Sequence, residues 1–207
     1  MIAIIDYGVG NLFSLKSSFG YIGEDAIVTS DKKEIEAADK IVLPGVGAFG
    51  DAAKKLEQSG LKSVILEEVK KGKHLLGICL GMQLLFEKSY EYGEHKGLGL
   101  IKGEVVPIQN VIPEDFKIPH ICWNSLHFKG EKSRIFKYIN EGDFVYFVHS
   151  YYGANCDGFV TSVTDYGVEL TASVENGNVF GCQFHPEKSG DVGLKILKAF
   201  CEAEDIK

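Results

Sequence analysis

The chain has 207 residues, 45% of them apolar and 25% charged, with a formal net charge of −7. That balance disfavours wrapping nucleic acid, and no run approaches the roughly 20 apolar residues that span a bilayer. Five cysteines at irregular spacing, with no CxxC pair, suit neither a disulfide framework nor a zinc site; the expectation is one domain over residues 1–207, cytoplasmic, with no signal peptide, no metal and no cofactor.

In chain order, "MIAIIDYG" reads as a buried strand ending in Asp and Gly. "NLFSLKSSFGYIG" follows as a helix, with Leu12, Leu15, Phe19 and Ile22 at helical spacing and Asn11 as N-cap. "AIVTS" is a second strand, and "DKKEIEAA" a short helix behind a Ser30 or Asp31 cap. "KIVLPGVG" is a third strand running into a glycine-rich turn, followed by helices over Asp51 to Gln58 and Leu61 to Lys70. "HLLGI" is a fourth strand and "LGMQLLF" its helix. Repeated strand–helix order predicts an α/β fold, an open and mostly parallel sheet with helices on both faces, flavodoxin-like. Beyond Gly97 the pattern changes. "GLIKGEVVPI", "IPHICWNSLHF", "DFVYFVHSYY", "FVTSVT", "VELTASVENG" and "VFGCQFHP" read as strands, which adds antiparallel strands in the C-terminal half. "SGDVGLKILKAFCEA" closes the chain as a helix capped by Ser189 or Asp191.

The stretch "GICLGMQ" carries the first chemical signal. Cys79 stands where the fourth strand turns into its helix, with Gly77 and Gly81 two positions away on either side. Parallel sheets hold their sites outside the C-terminal strand ends, and G-x-C-x-G has the form of a nucleophile elbow with sulfur in place of oxygen. The N–H groups of a helix starting just after Cys79 favour thiolate. Free cysteine is otherwise a small buried hydrophobe, the reading that suits Cys122, Cys156, Cys182 and Cys201.

A thiolate needs a base and the base an orienting group. Of six histidines, His74, which precedes the strand, and His95, which sits among charges, read as solvated. His120, His127 and His149 read as hydrogen-bonded strand residues. His185 precedes Pro186, which biases it toward extended backbone, and in an extended segment residues i and i+2 share a side. Its ring can therefore meet Glu187 through one nitrogen and Cys79 through the other, a Cys–His–Glu triad. "LPGVGAFG" ends the third strand and can aim N–H groups at a developing oxyanion.

Together "GICLGMQ", "LPGVGAFG" and "FHPEKSG" resemble the class I (triad) glutamine amidotransferases. Within them, "DYGVGN", "PGVGAFG" and "FVHSYY" favour the glutaminase subunits of imidazole glycerol phosphate synthase. Cys122 departs from that pattern, in a place where the family more often has glycine, which bears only on local packing. The resemblance implies that Cys79 attacks the side-chain amide of glutamine, with His185 as general base and then acid and Glu187 as its orienter. It implies oxyanion donors from the backbone at Gly45, Val46, Gly47 and Leu80, and a glutamine held by Gln83, Ser150 and Tyr151. It implies a partner, the (β/α)8-barrel cyclase subunit, docked near Asn11, Tyr146 and Lys188 and receiving the ammonia in histidine biosynthesis. Rival readings are a glutaminase feeding another acceptor (anthranilate, aminodeoxychorismate, pyridoxal phosphate or sugar modification), a cysteine peptidase with the same triad, or a flavodoxin-like phosphate-binding module. The last lacks the lysine of the GxxxxGK[ST] loop.

Overall fold

The structure, a computed structural model, describes residues 1–204. Its first half alternates strand and helix as the sequence predicts: β1 (Ile2–Ile5), α1 (Leu12–Tyr21), β2 (Ala26–Thr29), α2 (Lys32–Ala37), β3 (Lys40–Gly45), α3 (Phe49–Gln58), α4 (Leu61–Lys70), β4 (His74–Cys79) and α5 (Leu80–Leu84). Then come β5 (Phe86–Ser89), β6 (His95–Lys96), β7 (Ile101–Pro107), β8 (His120–Ser125), β9 (His127–Phe128), β10 (Phe144–His149), β11 (Tyr151–Ala154), β12 (Val160–Asp165), β13 (Glu169–Asn176) and β14 (Val179–Cys182), and α6 (Gly190–Glu202) ends the described chain.

The central sheet has eight strands in the order β2-β1-β3-β4-β14-β13-β12-β9. The first five run parallel and the remainder antiparallel. All positions of β1 and β4 are buried, because parallel strands are covered on both faces and read as continuous apolar runs. Alternate side chains feed two cores. On one face Ala3, Ile5, Leu43 and Leu75 meet Phe49 and Leu56 of α3 and Ile65 of α4. On the other, Ile4, Val42, Leu76 and Ile78 meet Leu15 and Phe19 of α1 and Ile196, Leu197 and Phe200 of α6. Each of the valine, leucine, isoleucine and phenylalanine side chains, once buried, contributes about 1.5–3 kcal/mol.

Two smaller sheets, β10-β8 and β11-β7-β5-β6, come from the strand-rich second half. Here the outcome departs from the expectation at one point. The helix read through Phe86 stops at Leu84, and the chain goes straight into β5, which pairs in parallel with β7. Apolar "LLF" serves a strand as well as a helix, and the distant partner decides.

The caps also differ in detail. Asp31 caps α2 as expected, its Oδ1 accepting from Lys33 N at 2.7 Å and Glu34 N at 3.4 Å. Asn11 makes no side-chain cap bond; its backbone, at φ −91° and ψ 66°, lies outside the extended region that aims a capping oxygen. Ser189 precedes α6 without capping it. Its hydroxyl instead donates to His185 O at 2.6 Å and accepts from Tyr146 N at 3.0 Å, pinning the turn after β14 to β10.

Candidate active site

Cys79 ends β4 and starts α5 with φ 53° and ψ −113°, a region that costs a non-glycine residue on the order of 1–3 kcal/mol. The neighbours hold it there by close approach. A Cβ on Gly81 would lie 1.8 Å from Leu43 O, and one on Gly77 would lie 2.7 Å from Gly81 O. Only glycine lets the elbow fold back onto β3 at this distance. β3 and β4 pair in register through Gly45 and Cys79, which sets the glycine-rich turn beside the sulfur.

β14 pairs with the other edge of β4, Cys182 opposite Ile78; the chain then bends at Gln183 and Phe184 and reaches His185, at φ −102° and ψ 99°, just before a 3-10 turn over Pro186–Lys188. His185 Nδ1 lies 2.8 Å from Glu187 Oε1, with the two side chains 3% and 1% exposed. Glu187 Oε2 is buried with no hydrogen-bond partner among the described residues. Burial pulls the proton affinity of the His185 imidazole down, but its hydrogen bonds to Cys79 and Glu187 and their charges outweigh this and lift its pKa to about 9. The ring therefore holds a proton at neutral pH between carboxylate and sulfur, a perturbation of the kind catalytic groups display.

A cleft of about 400 Å³ opens over the sulfur. Val46, Gly47, Leu80, Gln83, Ser150, Tyr151 and Lys188 line it with Cys79 and His185; Gly45 lies one residue behind, and Gly47 takes φ 93°. Asn11 and Tyr146 do not line the cleft. Tyr146 sits at its mouth, its ring 5.9 Å from Lys188 Nζ, while Asn11 lies in the β1–α1 loop. Gln83 is buried and not turned to solvent. Its Nε2 donates to Tyr151 O and to Gln183 Oε1, both at 3.1 Å, which commits both amide hydrogens and leaves the carbonyl for a ligand.

Two further residues belong to the site, one lining the cleft and one buried behind the sulfur. Glu91 lines the cleft and accepts from Phe49 N at 2.5 Å, a carboxylate placed to meet an ammonium group. Gln183 is fully buried, and its Nε2 points at Cys79 Sγ, 3.7 Å away. The chain bends at Gln183 and Phe184 after β14, so no strand period announces the approach of Gln183 to the sulfur.

The other histidines divide. His74 is buried, not solvated: β4 extends back to it in register with Lys40, and its ring stacks on Phe180 at 5.8 Å. His95 is half-buried, its ring against Gly50. His120 and His149 are buried and linked, Nδ1 to Nε2, at 2.9 Å. Burial lowers the pKa of His120 to about 4 and that of His149 to about 3. Among the described residues no group of three or more His, Cys, Asp or Glu is placed to hold a metal, and no helix is long and apolar enough to cross a membrane.

A thiol on a strained elbow, a protonated imidazole and a buried carboxylate suit attack on a carbonyl carbon. The family model for "Glutamine amidotransferase class-I" matches residues 3–203. The chain belongs to this family. It is 53% identical over 203 residues, covering 98% of both chains, to "Imidazole glycerol phosphate synthase subunit HisH" of Caldanaerobacter subterraneus subsp. tengcongensis. The protein of the same name in Aquifex aeolicus is 53% identical over 199 residues, 95% of this chain and 94% of that one. Among solved structures, a glutamine amidotransferase superposes with TM-score 0.74 at 19% identity, covering 97% of this amidotransferase and 100% of that one. PurLQS from Thermotoga maritima gives 0.73 at 21%, covering 97% of each. At these identities the structural likeness shows the fold, and the fold is the mostly parallel α/β arrangement expected.

Proposed function

We propose that this amidotransferase is the glutaminase subunit of an imidazole glycerol phosphate synthase, hydrolysing glutamine to glutamate and ammonia and passing the ammonia to a (β/α)8-barrel cyclase in histidine biosynthesis. The observation that carries the chemistry is the buried His185–Glu187 pair at 2.8 Å beside a thiol held on a positive-φ elbow. The observation that carries the destination is 53% identity over nearly the whole chain to the named subunit.

In this reading the Cys79 thiolate attacks the side-chain amide carbon of glutamine. The oxyanion forms against the backbone at Val46 and Gly47, supported by Gly45 and Leu80, where each donor contributes about 3–4 kcal/mol to the transition state. His185 gives its proton to the departing nitrogen, so ammonia leaves and a thioester remains. The same imidazole, now neutral, takes a proton from water as it attacks the thioester. Glu187 holds the ring through Nδ1 during both steps. The carboxylate of Glu91 suits the substrate's α-ammonium, the Gln83 carbonyl is a second acceptor, and Ser150 and Tyr151 form the facing wall.

Ammonia released into water is protonated and loses its nucleophilicity, so the acceptor has to cover the cleft. A surface of the right kind stands at its mouth. In the β8–β10 pair, Tyr146 lies opposite Trp123 and Val148 opposite Ile121, so these side chains share a face. Ile121 is 53% exposed, Trp123 50% and Phe144 55%, an apolar patch next to Lys188 that suits docking of the cyclase. Tyr146, Lys188 and Asn11, beside the exposed Phe13, are the interface residues in this reading, and its location is the cytoplasm.

The test pairs Cys79→Ala with the cognate cyclase. Glutamine-dependent synthesis of imidazole glycerol phosphate falls to background while ammonia-dependent synthesis persists, and the unmodified chain consumes glutamine faster with the cyclase than alone. Loss of both syntheses in the variant would mean that Cys79 serves structure.

A further inference from the structure

The cleft rests on a buried chain of hydrogen bonds whose direction can be worked out from one end. The Tyr151 carbonyl can only accept. It receives His149 Nδ1–H at 2.9 Å and Gln83 Nε2 at 3.1 Å. That fixes the Gln83 amide with nitrogen toward Tyr151, and the same nitrogen faces Gln183 Oε1 at 3.1 Å. Turning the Gln183 amide over would set two NH2 groups against each other, and turning Gln83 as well would set its oxygen against a carbonyl oxygen. Gln183 therefore has one allowed sense, with Nε2–H toward Cys79 Sγ at 3.7 Å. The backbone supports this placement: Gln183 N donates to Ala172 O at 2.8 Å, and the side chain is fully buried.

We propose that Gln183 is a positioning residue for the nucleophile, its amide N–H holding the Cys79 thiolate in a direction dictated by Tyr151 through Gln83. This rests on Cys79 being the nucleophile. A donor to the ionised sulfur stabilises thiolate over thiol, because hydrogen bonds to charged groups are stronger than those to neutral ones. It also restrains the sulfur from turning out of line with the substrate carbonyl. The glutamine-binding wall and the thiolate are thereby parts of one hydrogen-bonded unit, so displacement of the Ser150–Tyr151 wall is felt at the sulfur.

The test uses Gln183→Met, similar in shape with no donor, and Gln183→Glu, of the same shape with a negative charge at the sulfur. Alkylation of Cys79 by iodoacetamide, followed by mass on its peptide as a function of pH, reads the thiolate. The half-maximal pH rises by about one unit in the Met variant, a loss of about tenfold in rate below both midpoints, and at least as far in the Glu variant, with thermal unfolding showing both folded. In unsubstituted protein the Gln183 side-chain amide resonance moves at the same pH as Cys79 alkylation, a readout that survives if neither variant folds. Alkylation profiles that coincide with the unsubstituted protein, or an amide resonance indifferent to that pH, overturn the proposal. Labelling of the complex by diazo-oxo-norleucine separates the two levels. If unsubstituted Cys79 is not labelled, the nucleophile assignment itself fails; if it is labelled and the profiles coincide, only the role of Gln183 fails.

Discussion

The paired imidazoles beneath the cleft make stability steeply dependent on acid. His149 donates through Nδ1 to Tyr151 O, so its Nε2 accepts from His120 Nδ1–H at 2.9 Å, and His120 Nε2 is left buried with no hydrogen-bond partner among the described residues. Burial keeps both rings neutral, with folded-state pKa values of about 4 and about 3 against the ordinary 6.5 of the unfolded chain. Because both folded values lie below the unfolded one, the unfolded chain takes up protons first. Stability is therefore lost as pH falls from about 6.5 toward about 4 for His120 and about 3 for His149. Each ring contributes a slope of about 1.4 kcal/mol per pH unit in that window. By pH 5 that is about 2 kcal/mol for each, a large share of the 5–15 kcal/mol that folded domains possess. His120→Asn keeps a donor near the Nδ1 position and removes one titrating group. The gap it leaves against Phe147 and Tyr166 lowers stability by an amount that does not vary with pH. Urea unfolding followed by circular dichroism at pH 7, 6, 5.5 and 5 then shows a slope shallower by about 1.4 kcal/mol per unit in the variant. Parallel lines for the two proteins would refute the assignment of neutral, proton-excluding rings.

Two further outcomes follow from single contacts. Gly81→Ala drives a methyl against Leu43 O and lowers unfolding free energy by at least about 3 kcal/mol, whereas Gly20→Ala in α1, where a Cβ meets nothing within 4 Å, raises it by about 0.5–1 kcal/mol; equal effects in denaturant titrations would contradict the close-approach account. Glu187→Gln keeps an acceptor for His185 Nδ1–H but loses the charge that supports the imidazolium, so kcat/KM for glutamine drops by about 10–100-fold with ammonia-dependent synthesis by the complex intact, and an unaltered glutamine rate would remove Glu187 from the mechanism.

What the sequence makes legible is what local geometry determines. Apolar β1, β3 and β4 declare themselves because strands covered on both faces need no polar alternation. The G-x-C-x-G frame declares the elbow because two close backbone approaches admit no side chain. His185 and Glu187 were legible as a pair, but the extended backbone expected across them is a 3-10 turn over Pro186–Lys188, so the carboxylate reaches the ring around a turn and not along a strand. Glu91 was not legible: it sits in the charged stretch "YEYGEHKG", and only its contact with Phe49 N, at the start of α3, brings it to the cleft. The end of α5 at Leu84 and the burial of His74 depend likewise on pairing with β7 and with Lys40 of β3, partners that no local pattern announces. Asn11 and Ser189 show the converse: capping residue types in capping positions, one without the backbone angle a cap requires, the other with its hydroxyl committed elsewhere.

Strand order explains why the functional groups come from opposite ends of the chain. β4 is flanked by β3 and β14, so the strand that carries Cys79 has the glycine-rich turn on one side and the segment leading to His185 on the other. All three run parallel and end on the same side of the sheet, which is where open α/β sheets collect their ligands. The antiparallel half of the chain then supplies the wall: β10 ends at His149 and β11 begins at Tyr151, so the cleft closes over Cys79 at the passage from one small sheet to another. Ser189 ties β10 to the turn carrying Glu187 through Tyr146 N and His185 O. Tyr146 thus touches both the apolar face offered to a partner, through Trp123 at 6.1 Å, and the backbone of the base, since His185 N donates to Tyr146 O at 3.0 Å. A shift of β10 would therefore reach the His185 backbone by two routes, the direct hydrogen bond to Tyr146 O and the relay through the Ser189 hydroxyl.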